Sequence, residues 1–182
     1  MKITAEMKDL RDLVESYLKN EVDPVVGTYD ANGEFPEKIY NDLLEMGVHL
    51  LAVPTEYDGL MIDHKTEMYI AETIGRHDCG IGSAIGASNS SCTTMELFGT
   101  DEQKKEFFGI LTSGKLASFC LTEPNAGSDS ASVKTQAKLD GDEYVLNGTK
   151  CFITNGGIAG VYIVIASTDL SKGTKGLSAE SF

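Results

Sequence analysis

Two segments hold the residue types that could do chemistry. The first is Phe119-Cys120-Leu121-Thr122-Glu123-Pro124-Asn125-Ala126-Gly127-Ser128-Asp129, an apolar run passing into a loop of Pro, Gly, Ser and Asp. Such a loop offers backbone N–H groups and small hydroxyls, the equipment for holding the polar edge or the phosphates of a ligand. A plain strand-to-turn connection has the same composition. The second segment is Asn147-Gly148-Thr149-Lys150-Cys151-Phe152-Ile153-Thr154-Asn155-Gly156-Gly157. It reads as a hairpin turn, a strand over Cys151–Thr154 and an Asn-Gly-Gly turn. On a strand, Phe152 and Thr154 share one face by the period of two. An aromatic and a hydroxyl on one face would support a flat heterocycle. An amphipathic hairpin with one aromatic core residue gives the same pattern.

The elements that must position these segments fall into two kinds. The first half reads as helices. Met7, Leu10, Val14, Tyr17 and Leu18 recur at helical spacing behind Thr4, a candidate N-cap, and Pro24 ends that run or begins a turn. Pro36 opens a second helix with Ile39, Leu43 and Leu44 on its apolar face and Gly47 as its stop. A third begins near Asp63 and carries Met68, Ala71 and Ile74. The run CGIGSAIGASNSSCTTM from Cys79 reads as loop by propensity, but a loop that long is unusual in a compact domain. Small residues also suit a buried helix that packs closely or lines a ligand cavity. Thr100 and Gln103 form a capping box for a helix carrying Phe107, Phe108 and Leu111, closed by Gly114.

After Gly114 the pattern becomes that of short strands: Leu116–Leu121, Val133–Leu139, Tyr144–Leu146, Cys151–Thr154 and Val161–Ser167. Asp140-Gly141 and Asn147-Gly148 are hairpin dipeptides. The expected class is α+β: an amino-terminal all-helical bundle over 1–114, followed by an incomplete antiparallel β-barrel domain over 115–182. Val161–Ser167 is expected as an unpaired, aggregation-prone edge strand.

Lys and Arg number 15 against 28 Asp and Glu, a net charge of −13. That argues against nucleic acid or an anionic membrane surface as partner. Val161–Ala166 is the longest clean apolar run, well short of the roughly 20 residues that span a bilayer. Four scattered cysteines and no C-x-x-C pair fit reduced thiols in a cytoplasmic protein and give no metal-ligand spacing.

The two segments resemble the signatures of the acyl-CoA dehydrogenase flavoenzyme family. Leu121–Asp129 resembles its LTEPxAGSD motif and Asn147–Asn155 its NGxKxWITN motif, with Phe152 where many members carry Trp. Phe35-Pro36, the PxxYGG-like loop Pro54–Gly59 with Asp58 in place of a glycine, and the FGTxxQK-like Phe98–Lys104 extend the likeness. The resemblance implies FAD as cofactor, with Phe119, Cys120, Leu121, Thr122, Gly127, Ser128, Phe152, Ile153 and Thr154 at the cofactor. Thr122 would supply a hydroxyl to the flavin's polar edge. Ser128 would touch both FAD and the acyl-CoA substrate. Phe152 would pack on the ring and Thr154 would point at its reactive nitrogen.

The resemblance also implies oxidation of acyl-CoA to 2-enoyl-CoA, as in fatty-acid β-oxidation, or the reverse reduction. Electrons would pass to an electron-transfer flavoprotein, and the full-length protein would be a homo-oligomer, a tetramer. Family members run about twice this length, and their catalytic Glu lies in a carboxy-terminal helical domain. No catalytic base is therefore expected within these residues: Glu123 and Asp129 match other family positions. The expectation is an amino-terminal portion, inactive alone, with a bias towards short acyl groups. Ala179-Glu180-Ser181-Phe182 is also less apolar than the strand the family carries there. The alternative is a non-catalytic remnant that binds a partner or acyl-CoA without turnover. A flavin monooxygenase of similar fold is a weaker match to TEPxAGSD.

Overall fold

The computed structural model describes residues 3–181. Helix α1 (Ala5–Tyr17) starts at Thr4, whose hydroxyl accepts the Met7 amide while the Met7 sulfur takes the Thr4 amide. The helix runs on into a π-turn, Leu18–Val22, so that Val14, Leu18 and Val22 recur every four residues, all buried. A short α2 (Val26–Asn32) follows and ends at Gly33 in the left-handed region. The sequence reading did not include it: it buries no residue, so no apolar period marks it. Helix α3 (Glu37–Glu45) buries Ile39, Tyr40 and Leu43, and Gly47 at φ 76° stops it.

Helix α4 (His64–His77) begins on Asp63 as expected, but its inner face differs. Thr66, Glu67, Ile70, Thr73 and Ile74 are buried; Met68 and Ala71, read as core, are exposed. Polar residues hold the inner face because they have partners. Thr66 Oγ1 donates to Asp63 and Glu67 accepts from Asn89 Nδ2 at 2.8 Å. The small-residue run is a helix, α5 (Cys79–Phe98), capped by Asp78. Ser83, Ser90, Ser91, Thr93 and Thr94 each donate to a carbonyl one turn back, which satisfies hydroxyls that otherwise favour loops. Helix α6 (Asp101–Thr112) has the reciprocal Thr100–Gln103 box and buries Phe107, Phe108 and Leu111. No helix among the described residues is long and apolar enough to cross a membrane.

The helices give way to an open sheet of β1 (Ala117–Cys120), β2 (Gln136–Asp140), β3 (Glu143–Asn147), β4 (Val161–Ser167) and β5 (Leu177–Ser181). Its order is β1-β4-β2-β3, with β5 also on β4. The helix-then-open-sheet architecture is as expected, with three corrections. The sheet is mixed, because β1 and β4 pair in parallel and Gln136 meets Ser167 in parallel. Strand β4 lies between partners and is no free edge: Ile163–Ser167 pairs antiparallel with β5. Asn147-Gly148 starts no hairpin, and no strand forms over Cys151–Thr154. Ala179–Ser181 is strand despite its polarity; Phe182 lies outside the described residues.

Two apolar clusters hold the chain together. One lies among the helices with Val14, Leu18, Leu43, Ile70, Ile74 and Ile81. The other joins Phe107, Phe108 and Leu111 of α6 to Ala117, Val161 and Ile163 of the sheet. Ser88 of α5 adds two hydrogen bonds to the Ala117 backbone, so helices and sheet share buried contacts.

His49 is buried, 3.0 Å from the Leu111 carbonyl through Nε2, which therefore donates. Burial lowers its pKa from the ordinary 6.5, against the opposing hydrogen bond to Leu111. The unfolded chain then takes up this proton at a higher pH than the folded one. Stability from this site is full above about pH 6.5 and falls as pH drops below it. Exposed His64 has its pKa raised, chiefly by its hydrogen bond to Glu67, and acts in the opposite sense. The test is the difference between parent and His49→Gln in urea midpoint at about pH 7.5 and about pH 5.5. The parent should lose more on acidification; equal losses remove His49 from the pH response.

Candidate functional site

The first motif leaves β1 and closes on itself at once. Glu123 and Ala126 exchange backbone hydrogen bonds of 3.0 and 3.1 Å, with Pro124 and Asn125 at the two central turn positions. The Glu123 carboxylate then turns inward, buried at 5% exposure. It accepts from the amides of Lys134 (2.8 Å) and Thr135 (3.0 Å) and from Lys150 Nζ (2.8 Å). Burial opposes its ionisation, but the Lys150 ammonium and the Thr135 and Lys134 donors outweigh it and hold the carboxyl at about 2.

Lys150 belongs to the second motif, and its ammonium also donates to the Leu121 carbonyl at 2.8 Å. The Cys151 amide donates to the Thr122 carbonyl at 2.9 Å. One part-buried cation and one backbone bond thus fasten the two motifs side by side, although 29 residues separate Leu121 from Lys150. Further on, Ser118 Oγ donates to the Thr154 carbonyl at 2.6 Å. Buried Asn155 donates through Nδ2 to the carbonyls of Ala84 (2.8 Å) and Ala117 (3.0 Å).

Between these fastenings the chain presents Phe152. Its ring is 94% exposed and its backbone sits at φ 55°, a left-handed conformation costly for a bulky L-residue. Phe152 and Thr154 are therefore placed by a pinned turn and do not share a strand face, as the sequence reading had it. Phe152 and Ile153 rim a cleft of about 450 Å³ that Lys150 and Cys151 share with Cys120, Tyr162 and Val164 of the sheet. Burial pushes the Cys120 thiol pKa up, with Ser118 and Lys150 opposing.

The sequence-derived set divides around this cleft. Cys120, Phe152 and Ile153 line it; Phe119, Leu121, Thr122, Gly127, Ser128 and Thr154 do not. Strand alternation explains part of the division, because Phe119 faces the α6 side of β1 and packs on the second apolar cluster. Leu121 and Thr122 are half-buried; Gly127, Ser128 and Thr154 are exposed. Among the described residues, no group bonds the hydroxyl of Thr122, Ser128 or Thr154. An exposed aromatic face on the rim of a cleft suits a flat ring such as a flavin, and unbonded hydroxyls on the same two motifs are donors such a ring's polar edge can use.

The sequence reading passed over Lys150, Ser118 and Asn155 as site residues. Lys150 and Asn155 carried a visible signal, as the charge and the closing residue of the second motif, and Ser118 carried none. A second cavity, about 270 Å³, lies between α4 and α5 and is lined by Gly82, Gly86 and Ser90 among others. It touches neither motif, and it accords with the expectation that the small-residue helix lines a cavity.

Residues 4–115 match the family described as acyl-CoA dehydrogenase, N-terminal domain, and residues 118–180 match acyl-CoA dehydrogenase, middle domain. The 3-(aryl)acrylate reductase of Clostridium sporogenes is 38% identical over 180 residues, 98% of this chain and 48% of that protein. The butyryl-CoA dehydrogenase structure from Megasphaera elsdenii has a TM-score of 0.92 at 34% identity, covering 100% of this chain and 49% of that one. A Mycobacterium smegmatis glutaryl-CoA dehydrogenase in complex with FADH2 has a TM-score of 0.87 at 26% identity, covering 98% and 45%. The chain spans about half the length of these relatives. With both family domains matched end to end along its described elements, the chain belongs to the acyl-CoA dehydrogenase family.

Proposed function

We propose that these residues form the amino-terminal half of a FAD-dependent acyl-CoA dehydrogenase, with 1–114 as its helical domain and 115–182 as part of its β domain. The observation that supports this most is the pair of fastened motifs, which presents Phe152 at 94% exposure on the rim of the cleft. FAD, when bound, supplies the acceptor for the hydride that leaves Cβ of the acyl thioester. Phe152 gives its ring a flat apolar wall. Thr122 donates to its polar edge and Thr154 to its reactive nitrogen, on a ring that gains negative charge on reduction. Ser128 reaches cofactor and acyl-CoA, and Phe119, Cys120, Leu121, Gly127 and Ile153 complete the surface.

No Asp or Glu lines the cleft among the described residues, and Glu123 is committed to Lys150. In this reading the group that takes the α-proton lies outside these residues, and alone they do not turn over. The electron acceptor in this reading is an electron-transfer flavoprotein, the assembly a homotetramer and the compartment the cytoplasm. Short acyl groups are the expected substrates. The Clostridium sporogenes relative is a reductase, so the reaction is to be tested in both directions.

A chimera joining this chain to the remaining half of the Megasphaera elsdenii enzyme tests the reading. It should bind FAD and lose the yellow flavin absorbance on addition of butyryl-CoA. A folded, flavin-loaded chimera that no saturated acyl-CoA bleaches, and no 2-enoyl-CoA reoxidises, sinks the proposal. In the active chimera, Thr154→Ala removes a donor to a ring becoming negative, a loss of about 1.5–3 kcal/mol. Flavin reduction should slow roughly 10- to 150-fold and its midpoint potential should fall. Thr149→Ala, exposed and off the fastenings, is the control. Equal potentials and rates in all three proteins take Thr154 out of the site.

A further inference from the structure

Asn155 does more than end a motif. It is buried, sits at φ 65°, and spends both amide protons on carbonyls of two different elements, Ala84 in α5 and Ala117 in β1. Its own carbonyl accepts from the amides of Ile158 and Ala159. Asparagine tolerates a left-handed backbone that most residues resist, so one residue supplies both the turn and the anchor. The residue before it, Thr154, has its carbonyl held by Ser118 Oγ. On the other side of Phe152, Cys151 is bonded to Thr122 and Lys150 to Glu123. Phe152 itself makes almost no contact, being 94% exposed, so its strained φ of 55° is maintained by its neighbours' fastenings.

We infer that Asn155 is a positioning residue: its side-chain amide ties the turn 152–154 to α5 and β1 and so fixes the Phe152 ring and the Thr154 hydroxyl for the flavin. The inference rests on the flavin reading above. A merely structural Asn155 would stabilise the whole chain without governing order at position 152. These two roles separate experimentally.

The chain contains no tryptophan, so Phe152→Trp places a single indole where the ring stands. In that background Asn155→Gly keeps the left-handed backbone and deletes both donors. Ser118→Ala deletes the neighbouring fastening without altering any backbone preference, and serves if Asn155→Gly does not fold. Thr149→Ala is the control. All are compared at a temperature where circular dichroism shows each variant folded. The expected result is a loss of indole anisotropy in Asn155→Gly and, less, in Ser118→Ala, with none in the control. Titrated FAD should quench the indole of the Phe152→Trp parent, and about tenfold more weakly that of Asn155→Gly, the scale of one or two lost hydrogen bonds. Unchanged anisotropy in folded Asn155→Gly and Ser118→Ala, whatever their melting temperatures, overturns the inference. FAD that leaves the parent's indole emission untouched overturns the flavin reading instead, because anisotropy is measured without FAD.

Discussion

A polypeptide of these 182 residues, purified alone and given FAD, a short acyl-CoA and an electron-accepting dye, should show no turnover near the ordinary enzyme range of about 1–10³ s⁻¹. The reason lies in what faces the cleft. Removing a proton next to a thioester carbonyl needs a placed base, worth about 10²- to 10⁴-fold in rate. The ionisable groups lining the cleft are Cys120, Lys150, Cys151 and Tyr162. Lys150 is a cation bonded to Glu123 and Leu121, burial keeps the Cys120 thiol protonated, and the Tyr162 hydroxyl donates to the Gly156 carbonyl. The Glu123 carboxylate, bonded to cleft-lining Lys150, is held at about 2, which makes it too weak a base, and it is already fully engaged. Dye reduction at typical enzyme rates by this polypeptide would mean that one of these groups acts as the base. Activity that appears only in the chimera separates the enzyme half from a remnant that binds acyl-CoA without turnover.

The helical starts were legible because their signals are local. Thr100 and Gln103 sit three residues apart and satisfy each other's backbone, whatever the rest of the chain does. Asp58 shows the same locality in reverse. It stands where the PxxYGG pattern has its first glycine and adopts φ 61°, which aspartate tolerates. Its neighbour Gly59 has no such latitude, since a Cβ there would lie 2.0 Å from the Val53 carbonyl oxygen. Gly148 misled for a related reason. Asn147-Gly148 has hairpin composition, yet a Cβ at Gly148 would meet Thr135 Oγ1 at 2.3 Å, so this glycine serves a close approach and not a turn between strands. The β1–β4 pairing was illegible because it joins segments 44 residues apart in parallel, Ala117 with Val161 for example, and nothing in either strand names its partner. Lys150 and Asn155 stand inside the second motif, but that they and Ser118 act as fastenings across the fold appears only in three dimensions.

Lys150→Met should be the most damaging single change at the site. The Lys150 and Glu123 side chains are 11% and 4% exposed, so removing the ammonium strands a buried carboxylate with two backbone amides. Breaking a buried pair from one side costs about 3–5 kcal/mol, a large part of a domain's total stability of about 5–15 kcal/mol. Glu123→Gln in the same chain removes the stranded charge and should recover part of the loss, a coupling readable in a double-mutant cycle. The pH dependence has a definite sign. In the parent, Glu123 titrates at about 2 when folded against an ordinary 4.5, so its contribution is complete above 4.5 and is lost as pH falls towards 2. That difference is worth about 3 kcal/mol, at 1.36 kcal/mol per pH unit. Without Lys150, burial prevails and the carboxyl titrates higher, so the mutant's deficit should be greatest near neutral pH and should shrink below about pH 4.5 as Glu123 takes up a proton. Urea midpoints of parent and Lys150→Met across that range decide it. A deficit that stays constant with pH would show that Lys150 contributes through its hydrogen bond to the Leu121 carbonyl, and that the charge pair does not fasten the two motifs.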